Sequence, residues 1–89
     1  MNIEGTLKER SSTHGDFKLN SQVCQTLKGI VRHSVRTEVS AMQREALENI
    51  CQKIARILTG DPNHVDNWHD IAGYATLIEQ ELTKRAGRD

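Results

Sequence analysis

Two short runs hold the side chains that could do chemistry. In the first, Glu45, Asn49, Lys53 and Arg56 recur at steps of four, four and three, with Glu48 and Gln52 flanking them. In the second, Asp66, Asp70 and Tyr74 recur at steps of four, with Gly73 beside them. Each set falls on one face of a helix. Two carboxylates one turn apart can share a divalent cation such as Mg²⁺, with Glu45 or Glu48 contributing from a neighbouring helix. Lys53 and Arg56 are residue types that meet phosphate oxygens. The same charges can instead form salt bridges between adjacent helices, which contribute little to stability. Spacing alone leaves both readings open.

Three further features invite chemistry, and each has a plainer reading. His64, Asp66, His69 and Asp70 have the types of a zinc cluster, but His69 need not share the carboxylate face, and exposed histidines are the default. Gly73 in mid-helix costs about 1 kcal/mol relative to Ala; either another helix crosses there, or a ligand needs room beside Tyr74. His14-Gly15-Asp16-Phe17 reads as a turn anchored by its Phe, or as a loop that folds His14 over a pocket. Cys24 and Cys51 each lie among apolar residues, with no ligand-spaced Cys or His beside them, as expected of buried, reduced thiols.

The elements that position these residues are helical. Residues 1–12 offer one short apolar edge, Ile3 and Leu7, before the turn formers of 11–16. Leu19, Val23, Leu27, Ile30 and Val31 predict a helix over about 18–34, and 32–39 reads as its end plus a loop. Ser40 and Gln43 fit a capping box. Leu47, Ile50, Ile54, Ile57 and Leu58 then form one stripe, and Gly60 stands where a left-handed C-cap belongs. Asp61-Pro62 forbids continuation. A last helix starts near His64 with Asn63 as cap, and Val65, Trp68, Ile71, Ala72, Ala75, Ile78 and Leu82 form its expected buried stripe. The short connection makes 40–59 and 64–85 an antiparallel hairpin within one all-α domain spanning 1–89.

Composition bounds the function. The chain has 89 residues, 12 basic and 12 acidic, so it lacks the basic excess of a general nucleic-acid binder. No apolar run is long enough to span a membrane, and MNIEGTLKER lacks the apolar core of a signal peptide; a cytoplasmic protein is expected. With one Trp, one Tyr and one Phe, the core must come from aliphatic residues. That scarcity predicts a homo-oligomer, most simply a dimer.

The residues Lys53-Ile54-Ala55-Arg56-Ile57, the Gly60-Asp61 loop, and Asp66-Asn67-Trp68-His69-Asp70-Ile71-Ala72-Gly73-Tyr74-Ala75 resemble a family of small phage and prophage proteins of undefined function. Glu9-Arg10 and His14 to Phe17 extend the resemblance over most of the chain. More distantly, the arrangement is similar to the MazG-like, all-α nucleoside triphosphate pyrophosphohydrolases, helical oligomers that bind magnesium through Glu-x-x-Glu on one helix and Glu-x-x-Asp on the next. Glu45-Ala46-Leu47-Glu48 fits the first half; the second departs, since Asp66 and Asp70 are four apart and Asn63 stands where a Glu is expected. The resemblance implies a site in which Glu45, Glu48, Asp66 and Asp70 hold Mg²⁺, Lys53 and Arg56 meet the phosphates, and Trp68, Tyr74 and His14 line a nucleotide. The alternative is a non-catalytic helical oligomer that binds a host protein or sequesters a small ligand.

Overall fold

The computed structural model describes residues 3–5, 16–33 and 38–87. The His14 turn, apart from Asp16 and Phe17, and residues 34–37 of the helix end and loop expected over 32–39 lie outside these residues. Three long helices follow one another: α1 (Phe17–His33), α2 (Ala41–Thr59) and α3 (Val65–Arg85). Residues 3–5 are also helical, and no strand occurs among the described residues. The protein is all-α, as its apolar periodicity predicts.

Local chemistry sets the ends. Asp16 caps α1, its carboxylate accepting from the Lys18 N–H at 2.8 Å. Phe17 anchors nothing in the described structure; it opens the helix at 83% exposure. The capping box at the start of α2 is complete: the Gln43 N–H donates to Ser40 Oγ at 3.0 Å, and the Ser40 N–H donates to Gln43 Oε1 at 2.8 Å. Gly60 ends α2 with φ −127° and ψ −132°, not in the left-handed conformation expected of it, while its N–H reaches back to the Arg56 carbonyl. His64, not Asn63, precedes the first turn of α3, and its side chain makes no capping bond. Asn63 is instead tied into the connecting turn, donating its N–H to Asp61 Oδ1 at 2.9 Å. The left-handed glycine is Gly87, at φ 73°, just past the end of α3.

The helices form an open row. α2 lies in the middle, packed on one side by α1 and on the other by α3, and α1 and α3 do not meet. Asn20 Nδ2 donates to Thr59 Oγ1 at 3.4 Å and Arg32 pairs with Glu48 at 3.1 Å, so α1 and α2 run antiparallel. Lys53 meets Asp70 at 2.9 Å, so α2 and α3 do too, as the short connection requires. The radius of gyration is 15.6 Å, against roughly 12 Å for a compact chain of this length.

A row buries only its two seams. The buried apolar residues are Cys24, Ala46, Cys51 and Ala55, and the one buried polar residue is Asn67. No described Leu, Ile, Val, Phe, Tyr or Trp is buried. This corrects the expected core of α3. Val65 is 72% exposed, Trp68 is 55% exposed, and Ala72 and Ala75 are exposed. The residues of α3 that turn toward α2 are Asn67, Asp70, Ile71, Tyr74 and Ile78. Apart from exposed side chains such as Met42 and Leu77, the remaining apolar side chains of the three helices fall, at 3.6 residues per turn, on one face of the row. These are Leu19, Val23 and Ile30 on α1, Leu47, Ile54 and Leu58 on α2, and Trp68, Ala75 and Leu82 on α3. The opposite face carries Gln25, Gln52, Arg56, Asp66 and Gln80.

Ser40→Ala should remove the bond from the Gln43 N–H to the Ser40 hydroxyl, leaving only the Ser40 N–H bond to Gln43 Oε1, and lower stability by about 1 kcal/mol in urea denaturation. A variant as stable as the parent would show that the box contributes nothing net.

Candidate functional site

The polar side chains singled out from the sequence sort onto different sides of the row. Lys53 projects into the α2–α3 seam, where its side chain is 15% exposed and its ammonium sits 2.9 Å from Asp70 Oδ2. That hydrogen bond, the largest influence, holds the Asp70 carboxyl below the ordinary carboxylate range against the opposing effect of burial, helped by the charges of Lys53, His69 and Arg56. Glu48 turns the other way and bonds Arg32 on α1. Glu45 Oε2 accepts from Asn49 Nδ2 one turn along its own helix, at 3.0 Å. Asp66, 81% exposed, lies 3.7 Å from His64 Nε2. Glu45, Glu48, Asp66 and Asp70 therefore have four separate sets of neighbours. Among the described residues no group of three or more His, Cys, Asp or Glu side chains comes together around a common point.

The aromatic residues separate as well. Tyr74 is half-buried in the α2–α3 seam, whereas Trp68 stands on the apolar face, away from Lys53 and Arg56. The Trp68 indole N–H donates to the Pro62 carbonyl at 2.8 Å, which pins the ring against the connecting turn and leaves its apolar plate outward. Arg56 lies on the polar face beside the Lys53–Asp70 pair. His14 lies outside the described residues. An open groove of about 600 Å³ lies elsewhere, between the start of α2 and the end of α3, lined by Met42, Leu77, Gln80, Glu81 and Lys84 among others.

Two features of the seams went unread in the sequence. Asn67 is 2% exposed and its amide nitrogen has no acceptor. Leaving a buried donor unsatisfied costs about 1–3 kcal/mol. Its position was legible: Asn67 precedes Ile71, Tyr74 and Ile78 at steps of four, three and four. The α1–α2 seam brings Cys24 and Cys51 together as free, buried thiols. Burial pushes the Cys51 thiol up, reinforced by Cys24 and Glu48 and opposed by Lys28.

Gly73 is not a helix-crossing point within one chain. A β-carbon built there would meet nothing within 4 Å. The backbone at Gly73 faces open space on the same side as Asp66.

Three antiparallel helices with a polar seam define an all-α domain, and sequence comparison identifies its family. Residues 4–82 match the family described as Domain of unknown function (DUF6378), and the chain belongs to it. No curated protein and no solved structure matches the chain.

Two measurements follow from this geometry. The folded Asp70 pKa lies below its unfolded value, so the Lys53–Asp70 pair stabilises fully above that unfolded value and less as pH falls through the folded one. The stability advantage of wild type over Asp70→Asn should be present near neutral pH and fade below about pH 4. An advantage that stays constant on acidification would mean the ion pair is not its source. Gly73→Ala should raise stability by up to about 1 kcal/mol, read by urea denaturation. A loss instead would show that another molecule approaches the glycine backbone.

Proposed function

We propose that this protein is a non-catalytic interaction protein whose working surface is the apolar face of the helix row. The observation that carries this reading is the continuity of that face across all three helices, from Leu19 through Leu58 to Trp68. Exposed apolar patches beyond a few hundred Å² mark protein–protein contacts or membrane surfaces in folded proteins. A protein partner, reached in the cytoplasm, fits a face with no helix long and apolar enough to cross a membrane among the described residues. A host protein, were the chain phage-encoded, belongs to this reading.

The nucleotide reading keeps one specific support. Arg56 lies next to the Lys53–Asp70 pair on the side where Gly73 leaves open space. For Lys53 to meet a phosphate it must exchange Asp70 for the ligand. For Mg²⁺ to be held by Glu45, Glu48, Asp66 and Asp70, Glu48 must leave Arg32 and cross to the other side of α2. Those rearrangements place the nucleotide reading second. The MazG-like activity stands or falls with it.

Thermal melting with Mg²⁺ and a panel of nucleoside triphosphates separates the two. A ligand held at about 100 times its Kd adds roughly 2.7 kcal/mol to stability, a shift of several degrees in a domain of this size. The expected result is no shift with any metal–nucleotide pair. A rise in Tm that disappears in Asp70→Ala would transfer the assignment to a nucleotide site.

A further inference from the structure

We infer that the apolar face is the docking surface for a second copy of this chain, related to the first by a two-fold axis, so that two three-helix rows stack into a six-helix core. This rests on the reading of that face as the working surface and names its occupant.

The area fits. Leu19, Ile30, Leu47, Leu58, Trp68 and Leu82 are roughly two-fifths to two-thirds exposed. With the half-buried Val23 and Ile54 beside them, they present on the order of 700 Å² of apolar surface per copy, close to the roughly 800 Å² per partner of a standard interface. A two-fold interface uses the same patch on both copies, so the patch must be complementary to itself. The stripe on α3 has that property. Trp68 is its one large projection, and Ala72 and Ala75 form a shallow stretch one and two turns on. A second α3 laid antiparallel across the first sets each indole over the other's alanines. The indole N–H already has its acceptor in Pro62, so covering the ring strands no polar group.

Charge permits self-association. Twelve basic and twelve acidic residues give no net charge, so two copies approach without long-range repulsion. The patch itself carries one charged residue, Glu79, which is exposed.

Without cover, the largest buried side chain in the described structure is Asn67, and a domain so built lacks the buried aliphatic surface that drives folding.

The test uses the full chain. Wild type should sediment at twice the monomer mass at micromolar concentration. Trp68→Glu and Leu58→Glu should each reduce the mass to that of a monomer or abolish the helical fold, whereas Leu77→Glu, exposed but off the face, should leave the dimer intact. Because the face variants can unfold, a second measurement uses otherwise unaltered chain with p-benzoylphenylalanine at position 72 or at position 80. Irradiation should join two copies from position 72 and not from position 80. A folded wild-type monomer overturns the inference, while leaving the interaction reading standing if that monomer still binds a hydrophobic dye at its open face. A dimer cross-linked from position 80 and not from 72 overturns it as well, and takes the interaction reading of the apolar face with it.

Discussion

Burial of apolar surface is the dominant favourable term in folding, and a single row of helices buries only the seams between neighbours. In this protein those seams are lined by small side chains: Cys24, Cys51 and Ala55 around α1 and α2, and Ala46 toward α3. Small residues let the helices approach closely, but they supply little area. Ile71 and Ile78 reach the α2–α3 seam only half-buried, and other large apolar residues, Leu19, Leu47, Leu58 and Trp68 among them, lie on the flank that all three helices share. The arrangement of charges, the exposure of Trp68 and the extended dimensions of 50 × 30 × 24 Å follow from that division.

The polar chemistry is subordinate to the same geometry. Because α2 is flanked on both sides, its acidic and basic residues are drawn to different neighbours. Glu48 serves the α1 seam through Arg32, and Lys53 serves the α3 seam through Asp70. The two pairs pin α2 in register with its neighbours from opposite sides. Partly exposed pairs of this kind contribute little energy, and apolar contacts supply the larger part of it. Asn67, buried in the α2–α3 seam without an acceptor for its amide, is the point at which this polar framework is incomplete.

Much of the fold was legible in the sequence because helix signals are local. The Ser40–Gln43 capping box, the Asp61-Pro62 break and the aliphatic period of 47–58 depend on residues within a turn or two of each other, and the helices begin and end where they point. The faces were harder to read. Periodicity shows that Trp68, Ala72 and Ala75 share a stripe, but not whether that stripe meets another helix of the same chain. The apolar arc of α3 is wide enough to include both Ile71, in the seam, and Trp68, on the open face, so the whole arc reads as core. The candidate site failed to converge for a related reason. Glu45 and Glu48 look like neighbours of Asp66 and Asp70 in a two-helix hairpin, and only the third helix reveals that Glu48 turns away. The Lys53–Asp70 contact was legible because it lies within the hairpin itself.

Trp68 is the single tryptophan of the chain and stands in the face on which this account depends. Its fluorescence emission, followed on dilution in the absence of denaturant, reports directly whether that face is covered. The account predicts a blue-shifted, apolar emission at high protein concentration that moves to longer wavelength as dilution uncovers the ring. A solvent-like emission at every concentration, with helical content unchanged, would contradict it.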